Sequence, residues 1–153
     1  MHVGTYLGLV HHSEQELAKA FVIIAERHAD EPDIDEICRL LSSWSCENVE
    51  LLKPLIERYS EDISDEEPEA LTKMLFKKPR SGSLALLRDL HDLWLLASEA
   101  HVSWSVLQQA AIALRDRDFI TTCKHCSNQN KRQISWLINR IKQAAPQTLI
   151  VAA

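Results

Sequence analysis

Residues 84–115 read LALLRDLHDLWLLASEAHVSWSVLQQAAIALR. Leu86, Leu90, Leu93, Trp94, Ala97, Trp104, Ala111 and Ile112 recur at helical spacing and share one face. A surface helix with such a stripe buries it against other helices. The sequence on either side supplies them. The tight turn Asp116–Asp118 leads into a helix from Phe119 to about Ala144, stopped by Pro146. Its inward face is Phe119, Cys123, Cys126, Ile134, Leu137 and Ile141. Upstream, Asp33 with Glu36 three residues on is a capping box for a helix whose stripe runs Ile37, Leu40, Leu41, Trp44, Leu51, Leu55 and Tyr59. Pro54 falls inside that stripe, where it is expected to kink the helix or cost it a hydrogen bond. The first helix runs from about Gly4 to His28 with Leu7, Val10, Leu17, Ala18, Phe21, Ile24 and Ala25 inward. Ser13 and Glu16 offer a later capping box, but Leu7 and Val10 already belong to the stripe.

The helices therefore come as two hairpins, a bundle arrangement when the links within each pair are short. Residues 61–83 join the pairs. That stretch is acidic from Glu61 to Glu69, allows a short helix from Glu69 to Lys77, and ends in Pro79-Arg80-Ser81-Gly82-Ser83. A connection of this length is uncommon between bundle helices. It is long enough to run the length of a 25-residue helix, about 37 Å. The expected fold is an all-α four-helix bundle over residues 1–153, one domain, with a long crossover between helices 2 and 3. The apolar tail from Thr148 to Ala153 is expected to pack on the bundle or on a partner.

Composition agrees. The chain has 153 residues, 46% apolar and 25% charged, with 3 Gly and 5 Pro, so collagen-like, disordered and turn-rich β classes are excluded. A net charge of -5 and a pI near 5.8 argue against nucleic-acid binding. No run approaches a membrane span. The first ten residues lack a secretory n-region, so the expectation is cytoplasmic, with Cys38, Cys46, Cys123 and Cys126 as thiols.

Polar residues on the inward faces are the candidates for function. Glu14 interrupts the first stripe between Val10 and Leu17, and Asn48 the second between Trp44 and Leu51. His101 and Gln108 fall on the third, and Gln129, Asn130 and Gln133 on the fourth. Measured from their turns, Glu14, Asn48, His101 and Gln133 each lie about 15–17 residues along their helices. They are expected to meet in one layer near mid-bundle, with Asn130 beside them. A buried carboxylate needs partners there. His11 shares the Glu14 face, whereas the adjacent His12 points about 100° away.

Four helices, one long crossover and a mid-bundle polar layer resemble the ferritin-like superfamily, and among its members the uncharacterised bacterial ones. The resemblance covers residues 4–144 at the level of architecture. It implies one Glu on helices 1 and 3 and Glu-x-x-His on helices 2 and 4, holding two iron ions. Glu14 matches the first of these. Helix 2 offers Glu47 and Glu50 without a His, helix 3 has His101 in place of Glu, and helix 4 has Asn130 and Gln133, whose amides are poor substitutes for bridging carboxylates.

The expectation is a ferritin-like bundle without a complete di-iron site and without a cofactor. It would act as a homodimeric structural or accessory protein, with an unidentified protein partner as a further option. The alternative is a metal-binding or oxidoreductase protein using iron or another divalent ion at Glu14, Glu47 or Glu50, His101 and His11. A third reading is a thiol pair at Cys123-Lys124-His125-Cys126. The helical position of that motif and the lack of a second CxxC favour structural thiols instead. His91 reads as a boundary residue and His125 as exposed. Trp44, Trp94, Trp104 and Trp136 read as core or interface positions.

Overall fold

The computed structural model describes residues 1–60, 75–76 and 78–151. Four long helices carry the fold: α1 (Val3–Arg27), α2 (Pro32–Arg58), α3 (Ala85–Leu114) and α4 (Arg117–Pro146). A single π-helical turn, Gln147–Val151, follows. No strand occurs among the described residues.

The boundaries follow from capping chemistry. α1 runs unbroken from Val3, so Ser13 lies in its interior and caps nothing. α2 begins one residue earlier than the expected cap. Pro32 takes the first helical position, where its missing N–H costs nothing, and Glu31 is the extended N-cap residue. Asp33 and Asp35 then sit in the first turn, favourable for the helix dipole. Pro54 lies inside α2 without ending it. Its position is exposed, so water can reach the carbonyl it leaves unpaired. α3 stops where Arg115 turns left-handed at φ 55°, with its N–H directed back at Ala111 and Ile112. α4 starts at Arg117, two residues before Phe119, because Asp116 is its N-cap and accepts from the Phe119 N–H at 3.2 Å.

Named contacts set the helix directions. α1 packs on α2 and α3, and α4 packs on α3 and α2. Glu14 meets Trp104 while His28 meets Asp89, so α1 and α3 are antiparallel. Asp33 meets Arg140 while Arg58 meets Asp116, so α2 and α4 are antiparallel too. Hence α2 and α3 point the same way, and α3 begins beside the α1–α2 turn. Tyr59 packs at one end of the bundle and Phe76 in the core at the other. Most of the expected helix at 69–77 and most of the 61–83 connection lie outside the described residues.

The core is two apolar clusters. One gathers Leu17, Phe21, Ile24, Ile34, Leu41, Leu90, Leu93 and Leu137. The other gathers Leu7, Val10, Leu52, Leu55, Trp104, Leu107 and Phe119. Each fully buried large side chain contributes roughly 1.5–3 kcal/mol. Some stripe residues lie outside the core. Leu40 and Ile112 are exposed, because a stripe that follows a 3.6-residue period drifts around the helix and its edges reach solvent. Of the apolar tail, Leu149, Ile150 and Val151 are 64%, 82% and 67% exposed, so these three side chains stand away from the bundle. No helix among the described residues is long and apolar enough to cross a membrane.

Candidate functional site

Between the two apolar clusters lies a polar layer. On α1, Glu14 falls between Val10 and Leu17 and is fully buried. Its Oε1 accepts from Trp104 Nε1 on α3 and from Asn130 Nδ2 on α4, each at 2.9 Å. Asn130 Nδ2 also donates to Gln133 Oε1 at 2.9 Å. Gln133 Nε2 in turn donates to the Leu41 carbonyl at 2.9 Å and to Ser45 Oγ at 2.8 Å, both on α2. Asn48, one turn further along α2, is fully buried in the same layer. One residue or more from every helix thus enters a single hydrogen-bonded plane.

Burial pushes the Glu14 carboxyl up from its ordinary value. The hydrogen bonds from Trp104 and Asn130, and the nearby polar side chains of Ser45 and Asn48, oppose that rise without cancelling it. The second carboxylate oxygen, both polar atoms of Asn48 and Asn130 Oδ1 have no hydrogen-bond partner. A neutral Glu14 carries its proton on one oxygen, which makes that oxygen a donor for one of these unpaired acceptors.

The structure brings Glu14, Asn48, Asn130 and Gln133 together as expected from their heights. It does not bring the other candidates to them. His101 is half-buried on the α3–α4 face, with Nδ1 at 3.3 Å from Ser127 Oγ. Burial, and then Lys131, hold its pKa below the usual value. Glu47 is exposed and pairs with His125 at 3.1 Å. Glu50 is exposed and pairs with Lys53 at 2.7 Å. His11 is half-buried; burial and then Lys53 lower its pKa, against Glu50. Counting residues fixes height along a helix but not the direction a side chain faces, and these four face away from the layer toward partners of their own or solvent.

Two members of the layer escaped the sequence reading. Trp104 is an apolar stripe residue whose indole N–H is a polar handle, and Ser45 is small enough to be overlooked beside Trp44. A donor at the height of Glu14 was the available signal in each case.

A second polar cluster, also missed, sits where α1 ends and α3 begins. Asp89 and Asp92 are nearly fully buried. Asp89 takes His28 Nε2 at 2.8 Å and Arg80 Nη1 at 2.8 Å, with Arg27 Nη1 at 3.9 Å. Arg80 Nη1 also lies 2.6 Å from Asp92 Oδ2. The spacing of the two acids, three apart on the flank of a leucine stripe, is the sequence signal. The cluster ties residue 80 of the connection to α3 and α1.

The cysteines of the CxxC are both buried and free. Burial pushes Cys123 up to about 12 and raises Cys126 further. A thiol held that high stays protonated near neutral pH and is a weak nucleophile.

Comparison of the chain with protein-family models, with curated proteins and with solved structures finds no match.

The di-iron centre that the resemblance implied does not suit this layer. Among the described residues no three of His, Cys, Asp and Glu converge to hold a metal ion. Around Glu14 the neighbours that reach its oxygen are an indole N–H and an amide NH₂, both turned with their positive ends inward. Donors so arranged complement a carboxylate oxygen and repel a cation placed at the same spot.

Proposed function

We propose that this chain is a ferritin-like helical bundle without di-iron chemistry, with residues 61–83 as its long crossover. On this reading it works in the cytoplasm as a homodimeric structural or accessory protein rather than as an enzyme. The polar layer then fixes helix register, a role buried polar groups fill elsewhere.

One observation carries the proposal. From Ala100 to Leu114, half of α3, there is no Asp, Glu, Lys or Arg. Yet this half is not enclosed. Val102 is 60% exposed and Val106 47%, one turn apart on the outer face beside the uncharged Ser105 and Gln109. An outward helix face that bears exposed valines and no charge is suited to being covered by another surface. A second copy supplies such a cover through a two-fold interface, the commonest symmetry of soluble oligomers.

Light scattering on the eluting protein tests this. The wild type is expected at twice the 17.5 kDa chain mass. The double substitution Val102→Glu with Val106→Glu is expected to elute as a monomer with unchanged helix content, since neither side chain belongs to the core. A monomeric wild type at tens of micromolar, or a dimer indifferent to both substitutions, would overturn the reading.

A further inference from the structure

We infer that the groove between α2 and α4 binds a small amphiphilic organic anion, a carboxylate attached to an extended apolar chain. The groove has a volume of about 450 Å³, within the roughly 300–1,000 Å³ of small-molecule sites. Its floor and walls are Ile37, Leu40 and Trp44 of α2 and Trp136 of α4. Leu40 is 46% exposed, so apolar surface is open here rather than closed over by the bundle.

Charge at the rim selects the ligand. Lys131 and Arg132 line the groove, and no acidic residue does. Of the acids of α2, Asp33 meets Arg140, Asp35 meets Arg39, Glu47 meets His125 and Glu50 meets Lys53. Arg132 lies with its guanidinium carbon 4.3 Å from the centre of the Trp44 ring, which holds the cation over the apolar wall. Such a site matches a ligand with an apolar body and an anionic head. From Ile37 to Trp44 the groove runs seven residues along α2, about 10 Å by helical rise, enough for a medium-length alkyl chain. The site is separate from the outer face of α3 and does not depend on the proposed dimer.

Decanoate and decanol are the probes, titrated by calorimetry against the full chain. They share an apolar chain and differ in charge. Decanoate is expected to bind at one per chain, about tenfold tighter than decanol, because the two cations attract a carboxylate and not a hydroxyl. Lys131→Gln with Arg132→Gln is expected to remove that preference while leaving decanol binding in place. Leu40→Glu is expected to abolish both without altering the mass by light scattering. Equal affinity for the two probes, or a preference that survives loss of both cations, would overturn the inference. So would a Leu40→Glu chain that changes from dimer to monomer, since the groove would then belong to a second copy.

Discussion

Glu14 is the residue on which most of the interior polarity depends. Its Oε1 receives two donors that would otherwise be buried and unpaired. Glu14→Ala strands the Trp104 indole N–H and an Asn130 proton, and is expected to cost roughly 1–3 kcal/mol for the unpaired groups alone. Ionisation gives a sharper test. Because the folded carboxyl titrates above its ordinary 4.5, the folded state holds its proton more tightly than the unfolded chain does. Stability from this group is therefore complete below about pH 4.5 and falls as pH rises through the folded value. Urea midpoints across pH 4–9 should decline for the wild type relative to Glu14→Gln, which cannot ionise. Parallel profiles would mean that Glu14 does not titrate differently on folding. The cysteines are quiet by comparison. Cys38 is buried and raised to about 12, and Cys46 alone is exposed.

At the scale of elements, the junctions between helices hold the bundle's ends. Asp116 caps α4 and also receives Arg58 at 2.6 Å and Tyr59 at 2.8 Å from the end of α2. Burial raises its carboxyl, but the hydrogen bonds from Arg58, Tyr59 and the Phe119 N–H outweigh burial and leave it below the usual 3.8. Its contribution is present above that value and is lost as pH falls through the lower folded one. Asp116→Ala is expected to cost about 1 kcal/mol as a lost cap. Asp116→Asn should keep most of the cap and lose the acid sensitivity, read from thermal midpoints between pH 2 and 6. Much at this scale was legible beforehand. The four helices, their stripes and both short turns follow from 3.6-residue periodicity, which survives tertiary context because it reports burial directly. Cap identities were less legible: Glu31 caps α2 without its side chain, and Leu84 precedes α3 in the same way. The site was half legible. Height along a helix comes from counting residues, so Glu14, Asn48, Asn130 and Gln133 were placed together. Azimuth comes from packing, so His101, Glu47, Glu50 and His11 were not excluded until their partners were known. The buried Asp89–Arg80 pairing joins a helix to a connection, and no local pattern encodes it.

Across the whole molecule, charge is divided by helix. α4 carries six basic residues and one acidic, in a chain whose net charge is -5. Arg140 answers Asp33 of α2, while Lys131 and Arg132 stand at the groove rim, which no acidic residue lines. The same division by position applies to the interior. Since a plane of amides, an indole and a carboxyl separates one set of leucines from the other, few apolar contacts cross it. Each half can then open as a cooperative unit with its own free energy. Native-state amide exchange should resolve two protection classes split at the height of Glu14. Leu107→Ala, on the Trp104 side, is expected to accelerate exchange there and to leave the amides around Phe21 and Leu93 near their original rates under conditions that favour partial opening. Uniform acceleration throughout would mean the layer transmits the disturbance. A bundle read as one rigid column would then breathe as a single unit; with a polar septum it breathes in two.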